Sequence, residues 1–174
     1  MAMKILKFLE EAGKLKTVKR EGWKIRGIKE RESVAEHTFR VALLAMLLSE
    51  LEKRNMQKVL KMSLLHDLPE SQTGDLTRCS PTYGQKRKIE KKAMEKILKN
   101  LPRKLQKEYM QLWEEYRGGR TPEAKLVKAA DKLEMLLQAR EYAEQGYDTG
   151  DFWKEKYKFE GTALKIYNLL KFSL

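Results

Sequence analysis

The chain is poor in cysteine, histidine and proline, and it has no long apolar run. A single cysteine, Cys79, among 174 residues excludes an intrachain disulfide and any zinc site built on cysteines. That usage fits a reducing, cytoplasmic compartment. Four prolines and ten glycines fall at breaks between helical patterns rather than in hairpin pairs, and β-branched alternation is nearly missing. The expected fold class is therefore all-α. No uninterrupted apolar stretch nears bilayer-spanning length, and the opening MAMKILKFLEEAGKLK is too short and too charged for a signal peptide. No membrane association is expected.

What the chain has in quantity is charge. Charged residues make up 36% and hydrophobic residues 41%, too apolar for a disordered chain and more charged than the globular average. Lysine and arginine outnumber the acids 37 to 25, a formal charge of +12. Such a surface attracts phosphate-bearing ligands, and it equally keeps a charge-rich protein soluble; composition alone does not choose between the two. At 20.5 kDa one domain spanning residues 1–174 is expected.

Periodicity organises the chain into helices. The first is expected over Lys4 to Leu15, followed by an ordered basic loop, KTVKREGWKIRGIKERE. In SVAE, Ser33 can cap a helix while Glu36 reaches back, a capping box. The stripe of that helix runs Val41, Leu44, Leu48, Leu51, and one turn before Val41 lies His37, on the same inward face. A third helix, Met56 to His66, carries Val59, Leu60, Met62, Leu64 and Leu65, an aliphatic run expected to form its packed shaft, and is closed by Pro69. It leaves His66 and Asp67 at its end. After the turn TGDLTRCSPTYG come helices from Lys86 to Asn100 and from Pro102 to Tyr116. Thr121 and Pro122 then cap a long helix, expected to be central, with Asp131 near its middle. A last helix is expected from Trp153 to Leu170.

Only two histidines occur, and both fall at inward-facing or helix-terminal positions. Either one alone reads more simply as a hydrogen-bonded core residue. Asp67 shifts the balance, because a carboxylate beside a buried histidine needs a cation or donors and no Lys or Arg lies within its turn. Asp131 poses the same problem, with Lys128 and Lys132 as possible partners. Two imidazoles and two carboxylates suit a hard or borderline divalent ion. Glu70 is explained equally well as an acid favourable at a helix start, and Asp75 as a turn residue. Residues 85–108 carry ten basic and three acidic side chains, but Ile89, Ala93, Ile97 and Leu101 give the segment an ordinary buried face. Nucleic acid is not the partner expected.

The stretches ESVAEHTFRVALLA, LLHDLPESQTGDL and EAKLVKAADKLEMLLQAREY resemble the HD-domain metal-dependent phosphohydrolases, in the branch of the HD-domain 5'-deoxynucleotidases. The resemblance implies a helical bundle of about six or seven helices, with a metal-site core over about 19–147 and a C-terminal helix at 151–172. It implies one divalent ion (Mn, Co, Mg, Ni or Zn) on His37, His66, Asp67 and Asp131. Glu70 and Asp75 are then expected near the attacking water and substrate, with a further metal at those two positions in some relatives. Arg20 and Trp23 match the branch's phosphate-gripping arginine and the tryptophan beside the sugar, with Arg26 a rival for the phosphate. The implied reaction removes the 5'-phosphate from a (deoxy)nucleoside monophosphate, and a homodimer is implied. The alternatives are hydrolysis of nucleoside triphosphates or of cyclic or dinucleotide signals, and a basic helical protein that binds nucleic acid without catalysis.

Overall fold

The computed structural model describes residues 1–77, 79–80 and 82–172; Arg78 and Pro81 of the expected turn TGDLTRCSPTYG lie outside the described residues. The elements are α1 (Ala2–Gly13), α2 (Glu21–Lys24), α3 (Val34–Leu51), α4 (Met56–Leu65), α5 (Glu70–Thr73), α6 (Lys86–Leu98), α7 (Arg103–Gly118), α8 (Pro122–Glu144) and α9 (Gly161–Phe172). Short 3-10 turns lie at Lys14–Lys16, Tyr83–Gln85 and Gly150–Trp153. Among the described residues seven helices have ten residues or more, and β pairing is confined to an isolated bridge between Lys19 and Ser33. The all-α expectation holds. No helix among the described residues is long and apolar enough to cross a membrane.

The helix starts follow their caps. Ser33 accepts the Glu36 backbone N–H while the Glu36 carboxylate returns to the Ser33 backbone, completing the capping box at α3. Thr121 accepts the Ala124 N–H ahead of Pro122 at α8, each such cap contributing about 1 kcal/mol. At the other end of α7, Gly119 adopts φ 63° and sends its N–H to the Glu115 carbonyl, a left-handed stop that favours glycine.

Helix α8 is the axis of the molecule, packing on α3, α4, α7 and α9. It buries Leu126, Val127, Ala130, Leu133 and Leu136 against Val41, Ala45 and Leu48 of α3 and Val59 and Met62 of α4. A second cluster joins Val34, Leu65 and Leu68 to Met94, Ile97, Leu98 and Trp113 of α6 and α7. Burial of Ala93, Ile97 and Leu101 matches the apolar face expected for the basic segment.

Three local expectations are corrected. The final helix starts at Gly161 rather than Trp153, because Phe152 and Trp153 turn onto the core in a 3-10 segment and Phe159 is itself buried. Leu51 is 68% exposed because the inner stripe of α3 passes through Val41, Ala45 and Leu48 and ends before it. Leu64 is 57% exposed; the packed side of α4 is Val59, Met62 and Leu65.

Candidate metal centre

The end of α4 delivers two adjacent polar side chains. His66 caps the helix with helical dihedrals, its carbonyl accepts the Trp113 indole N–H (3.2 Å), and its Nδ1 lies 2.6 Å from the Ser63 carbonyl. A carbonyl can only accept, so Nδ1 carries a proton and Nε2 is the nitrogen left for another partner. That Nε2 lies 3.2 Å from Asp67 Oδ2.

Across from it, α3 supplies His37, which is fully buried. Its Nδ1 bonds the Glu134 carboxylate. Its Nε2 lies 3.3 Å from Asp131 Oδ1 and 3.7 Å from Asp67 Oδ2. The two imidazole rings stand 5.5 Å apart. His37, His66, Asp67 and Asp131, separated by up to 94 positions in sequence, thus share one small volume.

Both Nε2 atoms are buried without a hydrogen-bond partner. Two imidazole nitrogens stripped of water and turned on carboxylate oxygens are unfavourable unless a positive charge lies between them. A proton supplies it in part: burial and the Arg20 charge press the His37 pKa down, but Asp131 and Glu134 prevail and raise it to about 9. A divalent ion supplies it for His37, His66 and Asp67, whose ligand atoms all lie within 4.8 Å of one another, with Asp131 beside His37 Nε2, and the mixed N/O donors suit a first-row ion. The residues fit a metal.

Charge around the cluster is strongly perturbed. Burial would raise Asp67, yet His66, Arg20 and His37 hold it well below the usual carboxylate range. Burial would likewise raise Asp131, and Lys132, 3.7 Å away, together with the histidines holds it down. Burial pushes Glu70 well above the usual range, reinforced by Asp67 and Asp75 and opposed by Arg20 and Lys86. Of the carboxyls gathered here, Glu70 is thus one whose neutral form burial favours. Its Oε2 is buried without a partner, and its Oε1 is 3.8 Å from Lys86 Nζ.

Arg20 is brought to this cluster and Arg26 is not. Arg20 Nη1 donates to Asp67 Oδ2 at 3.4 Å. Although burial would lower its pKa, the charges of Asp67, Asp75 and Asp131 raise it. The cation missing from the Asp67 turn in sequence thus comes from a loop 47 positions away. Arg26 instead pairs with Asp151 (2.6 Å). Asp75 Oδ2 accepts the Glu21 backbone N–H (2.8 Å), tying the Arg20 loop to the α5 loop.

Trp23 is buried in the core with Ile28, Ala139 and Tyr142. Its ring is 2% exposed, packed on Tyr142 and Phe152, and its indole N–H donates to Glu32 Oε1 at 2.9 Å. Sequence reasoning missed Glu134, Tyr116 and Lys86. Glu134 had a visible signal, an acid on the buried stripe of α8 between Leu133 and Leu136. Tyr116, whose OH donates to Asp131 Oδ2 at 3.3 Å, and Lys86 had none.

An all-helical bundle that gathers two histidines and two aspartates from three elements defines a class of divalent-metal site. The HD domain family matches residues 12–165, and the chain belongs to that family. A 5'-deoxynucleotidase HDDC2 from Dictyostelium discoideum is 39% identical over 177 residues, covering 97% of this chain and 93% of that one. A solved structure from Pyrococcus horikoshii is 34% identical, with a TM-score of 0.80, and covers 98% of this chain and 96% of that one. Another, described as a predicted metal-dependent phosphohydrolase from Magnetospirillum magnetotacticum, is 32% identical with a TM-score of 0.66, covering 79% and 71%.

Proposed function

We propose that this protein is a divalent-metal-dependent 5'-deoxynucleotidase that hydrolyses (deoxy)nucleoside 5'-monophosphates to nucleoside and inorganic phosphate. The observation that carries the reading is the pair of unpartnered Nε2 atoms of His37 and His66 facing Asp67 and Asp131, with the buried Arg20 beside them. The D. discoideum relative carries the 5'-deoxynucleotidase name.

His37, His66, Asp67 and Asp131 would hold the ion, which when bound supplies Lewis-acid polarisation of a phosphoryl oxygen and a lowered pKa for water. Arg20, fixed by Asp67 and by the loop pinned through Glu21 to Asp75, offsets negative charge on the phosphoryl oxygens. Glu70, whose neutral form is favoured by burial and by Asp67 and Asp75, is the group suited to protonate the leaving 5'-oxygen. Asp75 holds the Arg20 loop and orients the water. Trp23 supports the loop from behind through Glu32.

The test is phosphate release across a panel of ribo- and deoxyribonucleoside monophosphates with Mn, Co, Mg, Ni and Zn compared. Release only from triphosphates or cyclic dinucleotides would overturn the reading. Arg20→Met is expected to lower kcat/KM for a deoxynucleoside monophosphate roughly 10²-fold, the order seen for loss of one transition-state donor. Equal rates in variant and wild type would remove Arg20 from the chemistry.

A homodimer is part of the same reading. The outer side of α3 exposes Phe39 (70%), Leu43 (44%), Leu47 (48%) and Leu51 (68%) at four-residue intervals, an apolar stripe that can meet its own copy across a two-fold axis. Sedimentation velocity is expected to give a dimer for the wild type and a monomer for the Leu43→Glu, Leu47→Glu double variant. A monomeric wild type, or a dimeric variant, would put the contact elsewhere or abolish it.

A further inference from the structure

Asp131 and Glu134 lie three residues apart on α8 and address opposite nitrogens of one ring, Asp131 the Nε2 and Glu134 the Nδ1 of His37. Glu134 is completely buried. A buried carboxylate is costly unless its oxygens are satisfied, and here they are: Oε2 faces His37 Nδ1, while Oε1 accepts the Arg40 Nε–H at 2.9 Å. Arg40 is in turn fixed by two further α8 side chains, Gln138 through Nη2 (2.7 Å) and Glu141 through Nη1. The result is a strap from the surface of α8 through Arg40 and Glu134 to the ring of His37.

We propose that Glu134 is a positioning residue for metal binding, holding His37 in its Nδ1–H tautomer with Nε2 aimed at the ion, and that Arg40 holds Glu134 in turn. The inference rests on the metal reading given above and adds to it the group that sets the orientation of one ligand. Glu134 does not itself ligate. An ion on the Nε2 side lies across the ring from it, and on the Nδ1 side the nearby carboxylates already have donors, Arg40 for Glu134 and the Trp23 indole for Glu32. Carboxylates behind ligating histidines fix tautomer and basicity, and their loss typically costs about 10–100-fold in metal affinity.

The chain's two histidines make the tautomer directly readable. The experiment is Zn(II) binding by chelator competition, together with ring ¹⁵N shifts of the zinc-loaded protein, for wild type, Glu134→Gln and Arg40→Met, with circular dichroism to establish folding. The expected result is a folded Glu134→Gln protein that binds Zn(II) about 10–100-fold more weakly, with the His37 Nδ1 proton signal moved and the His66 signals in place. A smaller loss is expected for Arg40→Met. Unchanged affinity and an unchanged His37 signal in Glu134→Gln would overturn the assignment. If Glu134→Gln does not fold, Arg40→Met decides in the same way, since Arg40 is 29% exposed and outside the core. A wild type that binds no Zn(II), Mn(II) or Co(II) would overturn the metal reading and this inference with it, an outcome distinct from a wild type that binds and a variant that matches it.

Discussion

Replacing His66 or Asp67 by alanine is expected to cut phosphate release from a deoxynucleoside 5'-monophosphate by roughly 10³-fold. Polarisation by a bound ion contributes several kcal/mol to transition-state stabilisation, and each 1.36 kcal/mol is about a decade of rate. The fold should survive both changes. Asp67 lies beyond the last turn of α4, and the core contacts of that helix come from Val59, Met62 and Leu65. In the Asp67→Ala protein Arg20 still faces the charges of Asp75 and Asp131, so the buried guanidinium keeps partners.

The same expectation extends to chelation. Stripping the ion from wild type should abolish activity and lower Tm, because a ligand that binds only the native state at 100 times its Kd stabilises by about 2.7 kcal/mol. For a chain of this size that is a shift of roughly 5–10 °C. The alanine variants should lose the metal-dependent part of Tm along with the activity. Normally folded His66→Ala and Asp67→Ala proteins that release phosphate at the wild-type rate would end the proposed mechanism.

Trp23→Ala is expected to destabilise the protein by about 3–5 kcal/mol, the range for emptying a buried aromatic site, seen as a Tm lower by roughly 6–20 °C. The ring is buried against Tyr142 and Phe152, and its indole N–H satisfies Glu32, whose backbone N–H donates to the Tyr142 hydroxyl oxygen (2.8 Å). Trp23→Phe separates the two contributions, keeping most of the volume and leaving one carboxylate oxygen short of a donor at about 1–3 kcal/mol. Denaturant melts with KM measured in parallel distinguish a core role from contact with the sugar. A Trp23→Phe protein of wild-type stability whose KM for nucleotide rises steeply would bring the ring to the substrate.

The helices and their caps were legible in the sequence because both depend on residues close in the chain. The capping box at Ser33 and Glu36, the cap at Thr121 and the apolar stripe of α8 are settled within one or two turns. The grouping of His37, His66, Asp67 and Asp131 was legible through motifs, since three stretches carried the resemblance. Errors came where a local pattern met a tertiary decision. The expected start of the last helix at Trp153 lies before the observed Gly161 because aromatic residues at 152, 153 and 159 serve the core from an irregular segment, and Leu51 and Leu64 are apolar residues that packing leaves outside.

By itself, the sequence determined an all-helical chain with two histidines set on or at the ends of its helices, and a resemblance to one family of metal-dependent phosphohydrolases. Only the tertiary structure decided what neutralises Asp67, since Arg20 reaches it across 47 positions. It alone set Trp23 in the core and placed Glu134 behind His37. The physical reason is that hydrogen bonds and charges act over a few ångströms in space, whereas periodicity and capping report only on neighbours along the chain.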